Sequence, residues 1–181
     1  MTSSGFALFD TELGRCGVAW NAHGLTGVQL PQPNEAQTRM RLFQRSGGEL
    51  PEAAPSPAVA HAIEGMTALL AGEKVALDDI ALDMSLVPDF NRGVYQIART
   101  IPPGSTLTYG DIAKQLGGVE LSRDVGQALG QNPFPIVVPC HRVLAAGGKP
   151  GGFSANGGVK TKLKMLAIEG AYVNHTPSLF D

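Results

Sequence analysis

A proline-paced segment constrains this chain more than any other stretch. Residues 132–143 read NPFPIVVPCHRV, with Pro133, Pro135 and Pro139 around the apolar run Ile136-Val137-Val138. Each proline fixes its own φ and restricts the residue before it. The rigid lead-in ends on Cys140-His141-Arg142, so it aims one thiol with an imidazole and a guanidinium directly behind it. Neighbours on a regular strand point to opposite faces. A direct Cys140–His141 bond therefore needs an irregular backbone, which the Pro139-Cys140 step begins, or else a bridging water.

The 181 residues are 43% hydrophobic and 17% charged, enough for a core built as one large domain or two small ones. No apolar run reaches the ~18 residues of a membrane span. The opening MTSSGFALFDTELG lacks the basic and apolar regions of a signal peptide. The two cysteines, Cys16 and Cys140, show no CxxC and no paired His/Cys spacing. A reduced, cytoplasmic protein with no disulfide, metal or other cofactor is expected. Charge divides the chain unevenly. Residues 1–91 hold five Lys/Arg against eleven acids, and residues 92–180 hold nine against four. Such asymmetry points to a polyanion face on the second half.

Residues 5–30 read as a meander of hairpins, and 34–46 as a helix with Asn34 as N-cap. A Gly/Pro loop leads to a second helix, PAVAHAIEGMTALLAG. Residues 75–87 alternate with Ile80, Leu82 and Met84 on one face, which predicts a strand. His23 and His61 carry no chemistry in this reading. Pro88-Asp89 marks the boundary. FNRGVYQIARTI then reads as a helix, and TYGDIAKQLGG as a short helix with Thr108 at the N-cap and Asp111 at N3. Ser122 is expected to cap a further helix, RDVGQALGQ. Two short helices joined by a glycine turn form a helix-turn-helix pattern. Gly126, Ala128 and Gly130 make the second one unusually small-sided, as if a nucleic-acid groove or a neighbouring helix comes close to it.

A thiol becomes an effective nucleophile when a base is in reach. His141, adjacent in sequence, is the candidate base, and Glu169, in the C-terminal helix LKMLAIEGA beside Leu163, Leu166 and Ile168, could fix its tautomer. A lone cysteine after an apolar run also reads as a buried structural thiol. PCHRV, preceded by NP and followed by a Gly-rich loop and a helix ending in EG, resembles the O6-alkylguanine-DNA alkyltransferases, also called methylated-DNA–protein-cysteine methyltransferases. The resemblance runs through RGVYQIARTIPPGSTLTYGDIA, SRDVGQALGQNPFPIVVPCHRVLAAGGKPGGFS and LAIEGA. FDTELGRCGVAW is similar to the N-terminal domain of bacterial members.

The resemblance implies an α+β chain. A small N-terminal α/β, RNase H-like support domain would span 1–88, and a mostly helical winged-helix or helix-turn-helix domain 89–181. It implies a DNA repair protein that flips O6-alkylguanine, and O4-alkylthymine, out of duplex DNA and moves the alkyl group irreversibly to Cys140, once per molecule. His141 would act through a water, oriented by Glu169. Asn132 matches the hinge asparagine, Tyr109 the tyrosine that protonates the leaving guanine, and Arg123 the finger that fills the stack. Gly126, Ala128 and Gln131 would face the DNA with Arg123 and Tyr109. Val143 (through its carbonyl), Phe153, Ser154 and Leu129 would form the base pocket. Phe153 replaces a tyrosine often found there. Asp124 stands where a small neutral residue is common, and Gln131 where a basic one is. One site per lesion asks for no symmetry, so a monomer is expected. Three other classes remain open: a non-enzymatic lesion binder, a Cys-His-Glu thiol hydrolase, and a winged-helix regulator with a buried thiol.

Overall fold

The structure, a computed structural model, describes residues 4–173. The chain opens on an antiparallel meander, β1 (Gly5–Thr11), β2 (Gly14–Asn21) and β3 (Gly24–Gln29), with Phe9 opposite Cys16 and Val18 opposite Val28. α1 (Glu35–Ser46) starts at Asn34, whose side chain accepts from the Gln37 N–H, and stops at Gly47 in the left-handed region. α2 (Pro57–Leu70) is capped by Ser56 with proline in its first turn, where a missing N–H costs nothing. Phe6, Ala19 and Leu42 pack between the sheet and α1, while Val18, Trp20, Met66 and Leu69 join the main core on the other side.

Residues 75–87 form no strand. They run as turns with a single parallel bridge, Leu25 to Leu82. Ile80 is buried, whereas Leu82 and Met84 are only partly covered. Arg99 holds the segment instead, donating to the carbonyls of Leu77, Asp78 and Ile80. Loose alternation, broken by the Asp78-Asp79 pair and with few β-branched residues, gave no lasting ladder.

α3 (Asp89–Ala98) buries Val94, Tyr95 and Ala98. β4 (Leu107–Thr108) pairs in parallel with β5 (Val143–Leu144). α4 (Tyr109–Leu116) begins with the expected capping box: Thr108 accepts from the Asp111 N–H at 3.0 Å, and Asp111 accepts from the Thr108 N–H at 2.9 Å. A 3-10 turn at Val119–Leu121 leads into α5 (Ser122–Gly130). Ser122 does not cap α5: it is already helical, and its hydroxyl donates back to the Val119 carbonyl. α6 (Val159–Ile168) closes the site. Its buried positions are Lys162, Met165, Leu166 and the adjoining Glu169, not Leu163 and Ile168. Among the described residues no helix is long and apolar enough to cross a membrane.

Candidate active site

The segment from Asn132 to Arg142 is neither strand nor α-helix. Val138 N–H bonds to the Phe134 carbonyl at 2.8 Å, and Ile136 takes φ 76°. A β-branched residue there is strained by roughly 1–3 kcal/mol, and burial on all sides holds it in place. At Pro139 (φ −79°, ψ 66°) the chain makes an inverse γ-turn, with Cys140 N–H on the Val138 carbonyl at 2.7 Å. Cys140–Arg142 then form one 3-10 turn. This is the irregular backbone that the adjacent cysteine and histidine require. Asn132 fixes the loop from inside: its amide donates to the Val138 carbonyl at 3.0 Å and its side-chain oxygen accepts from the Phe134 N–H at 2.9 Å.

Behind the thiol lies a buried polar chain. His141 Nε2 donates to Glu169 Oε2 at 3.0 Å, with Nδ1 buried and unpartnered. Burial lowers the imidazole's proton affinity against the pull of Glu169, so the ring is neutral with Nδ1 free to accept. Arg142 grips the same carboxylate through Nε to Oε1 at 2.9 Å and Nη2 to Oε2 at 2.7 Å, and gives Nη1 to the Ile101 carbonyl. Burial alone would raise the Glu169 pKa, but the hydrogen bonds from Arg142 and His141 outweigh it and hold the group at about 2. Glu169 follows the last turn of α6, where the helix dipole opposes a negative charge. The guanidinium offsets that.

Cys140, partly exposed, opens on a cavity of about 320 Å³ lined by Tyr109, Gly126, Leu129, Gly130, Gly152, Phe153, Ser154 and Lys162. That size lies at the low end for small-ligand pockets. Burial pushes the thiol up, while the Asn132 amide and the charges of Lys162 and Arg45 pull it down. Where a Cβ would sit on Gly126 or Gly130 there is open space to 4 Å, so α5 leaves its backbone bare towards the cavity. Gly151 takes φ +69°, and a Cβ there would come within 2.9 Å of the Tyr109 hydroxyl, so the absence of a side chain lets the loop pass the ring.

Tyr109, Leu129, Phe153, Ser154, Gly126 and Cys140 thus share one cavity, with His141, Glu169 and Asn132 behind it. Arg123 on α5 and Gln131 just past its end lie exposed outside it. Ala128 corrects the expectation from its size: it is 1% exposed and packs inward, and its carbonyl accepts from the Tyr95 hydroxyl at 2.6 Å. A helix turns only one face outward, and Ala128 is not on it. Val143 is fully buried, and its carbonyl already accepts from Lys162 Nζ at 2.7 Å, leaving one lone pair for a ligand.

Three residues have evident parts here that the sequence did not assign: Arg142 was marked only by its place behind the thiol, and Lys162 and Arg45 were given no role. Arg142 clamps Glu169. Lys162 reaches the Val143 and Gly152 carbonyls and lies 5.7 Å from the Tyr109 ring centroid. Arg45 donates to the Asn132 carbonyl. The signal for Lys162 was legible: 162, 165, 166 and 169 are spaced as one helical face.

Residues 89–171 match the model of the 6-O-methylguanine DNA methyltransferase DNA-binding domain. A methylated-DNA–protein-cysteine methyltransferase of Mycobacterium bovis is 40% identical over 176 residues, covering 97% of this chain and 98% of its own. One from Mycobacterium leprae is 35% identical, covering 95% and 96%. The crystal structure of Mycobacterium tuberculosis O6-methylguanine methyltransferase superposes with a TM-score of 0.70 at 32% identity and full coverage of both chains. That organism's enzyme in complex with DNA gives 0.71 at 31% identity, covering 91% of this chain and 92% of its own.

Proposed function

The chain belongs to the methylated-DNA–protein-cysteine methyltransferases, and from that membership we propose how its residues divide the work of DNA repair by alkyl transfer. The substrate is duplex DNA carrying O6-alkylguanine, with O4-alkylthymine as a second lesion. The nucleotide is flipped into the cavity beside Cys140, at a cost of a few kcal/mol in lost stacking. Arg123 fills the vacated stack while Gly126 and Gly130 keep α5 close to the minor groove. The Cys140 proton passes through a water to His141 Nδ1, and Glu169 stabilises the resulting imidazolium through Nε2–H. The sulfur attacks the alkyl carbon in line, the O6–carbon bond breaks, and Tyr109 protonates the departing guanine. Tyr109 recovers its proton from the histidine side or solvent. The thioether has no easy leaving route, so each molecule acts once, as a monomer. Ser154 donates to O6, the free lone pair of the Val143 carbonyl meets the guanine amine, and Phe153 and Leu129 flank the base.

The second domain, 89–181, is read as a winged helix-turn-helix with α5 as its recognition helix, and residues 1–88 as an RNase H-like support domain; residues 174–181 lie outside the described residues. The observation that carries the proposal is the opening of Cys140 onto a base-sized cavity with the His141–Glu169–Arg142 chain behind it. The test is intact mass after incubation with a duplex containing O6-methylguanine. One methylene, about 14 daltons, is gained by the protein and lost in Cys140→Ala. Lesion-selective binding without mass gain would sink the transfer reading in favour of a lesion binder.

A further inference from the structure

Arg45 lies in the last turn of α1, outside the matched segment, yet reaches the acceptor site. Its Nε donates to Gln29 Oε1 at 2.6 Å, and its Nη1 donates to the carbonyl of Asn132. Gln29 is itself buried and held through Nε2 on the Leu30 carbonyl at 3.0 Å. One residue along, the Val28 N–H of β3 donates to the Pro133 carbonyl at 2.9 Å. The Asn132-Pro133 hinge is therefore pinned twice from the N-terminal sheet and helix. Arg45, Gln29, Asn132 and Cys140 line one narrow crevice. No acidic side chain pairs with Arg45 among the described residues. An uncompensated charge in a low-dielectric crevice acts strongly on its neighbours.

We propose that Arg45 is a positioning residue of the acceptor site: it locks the Asn132 hinge and supplies the positive charge, from the N-terminal half, that favours the Cys140 thiolate. This rests on the reading of Cys140 as nucleophile. The groups facing the thiol are Arg45 from α1, Tyr95 from α3, Tyr109 from α4, Lys162 from α6, and the cluster His141, Arg142 and Glu169. The Glu169 charge is taken up by Arg142. Burial keeps both tyrosines neutral, and His141 is neutral as well. Arg45 and Lys162 remain as the uncompensated cations, and the thiolate is the attacking form.

The test is the pH profile of Cys140 alkylation by iodoacetamide, read by mass on the full chain without DNA. In Arg45→Met the midpoint moves up by roughly half a unit to one unit, and Arg45→Lys restores most of it. Gln29→Glu covers the case in which methionine at 45 prevents folding. It gives the guanidinium an anionic partner and cancels its charge while keeping its hydrogen bonds, so the midpoint rises again. Uniform slowing with an unmoved midpoint in both Arg45→Met and Gln29→Glu, as a purely structural prop would give, overturns the proposal. A wild-type Cys140 that fails to react at any pH overturns the nucleophile reading and this inference with it, a result distinct from an unshifted profile.

Discussion

Arg142 holds Glu169 in a two-pronged ion pair, Nε to Oε1 at 2.9 Å and Nη2 to Oε2 at 2.7 Å, so that Oε2 can meet His141 from one direction only. The imidazole is thereby aimed by its neighbour in sequence through a carboxylate 27 residues further on. Breaking a buried pair from one side leaves an uncompensated charge. Arg142→Met is expected to lose about 3–5 kcal/mol of stability. Glu169→Gln is expected to slow alkyl transfer by about 10²- to 10⁴-fold, because an amide can present its N–H to Nε2 and reverse the tautomer. Single-turnover mass gain and urea unfolding check both. A Glu169→Gln variant that transfers at the wild-type rate would remove Glu169 from the relay.

The same cluster sets the acid limit of stability. The hydrogen bonds of Arg142 and His141 hold Glu169 at about 2 in the folded chain, against an ordinary 4.5 when unfolded. A depressed folded pKa gives stability that is present above the unfolded value and lost as pH falls from about 4.5 towards 2. His141 is also depressed, from 6.5. The unfolded chain takes up that proton first, so stability begins to drop below about pH 6.5. Urea midpoints should decline in these two stages. Asp83, lowered by its hydrogen bonds from Asn21 and Ser85, also contributes to the lower stage. In Glu169→Gln that stage should therefore shrink, and a variant curve parallel to wild type below pH 4.5 would contradict the assignment.

Arg123 and Asp124 are both exposed in the first turn of α5, and no ion pair joins them. In the docking proposed for α5, Asp124 would meet the duplex as a free negative charge. Asp124→Ala should tighten duplex binding at low salt and steepen the dependence of log K on log salt by up to about one unit. It should also cost α5 about 0.3–1 kcal/mol, because an acid in the first turn favours the helix dipole. Anisotropy titrations across a salt series give the answer, and unchanged or weaker affinity would count against it.

The helices and the meander were legible because their caps and periodicities are local: Asn34, Thr108 with Asp111, and the glycine stops behave as their chemistry dictates. Residues 75–87 misled because a loosely alternating segment becomes a strand only if a partner edge is offered, and Arg99 satisfied its carbonyls instead. The proline spacing announced a rigid presentation of Cys140, but not the γ-turn at Pro139 or the left-handed Ile136, which only surrounding packing can enforce. The cavity residues within 109–154 belong to motifs contiguous in sequence. Arg45 does not: the 87-residue separation between it and Asn132 leaves no local pattern.

Lys162 offers the last test, since it is a buried cation without a carboxylate partner among the described residues. Burial lowers its pKa from 10.5 to about 8, against the opposing pull of the Cys140 thiolate. Below about 8 both folded and unfolded chains hold the proton, and the burial penalty is fully present. Between about 8 and 10.5 the folded chain has released it while the unfolded chain has not, so this residue's contribution to stability rises with pH. Other groups, the two thiols among them, titrate in the same range, so the comparison must be a difference. The stability of wild type minus that of Lys162→Met, from urea unfolding, should grow from pH 7 to about pH 9.5. At pH 7 the variant should also transfer more slowly, having lost a cation beside the thiol and the tie between Val143 and the Gly152 loop. A difference that stays flat across that range would mean that Lys162 keeps its proton in the folded chain, and that its hydrogen bonds to the two carbonyls outweigh its burial.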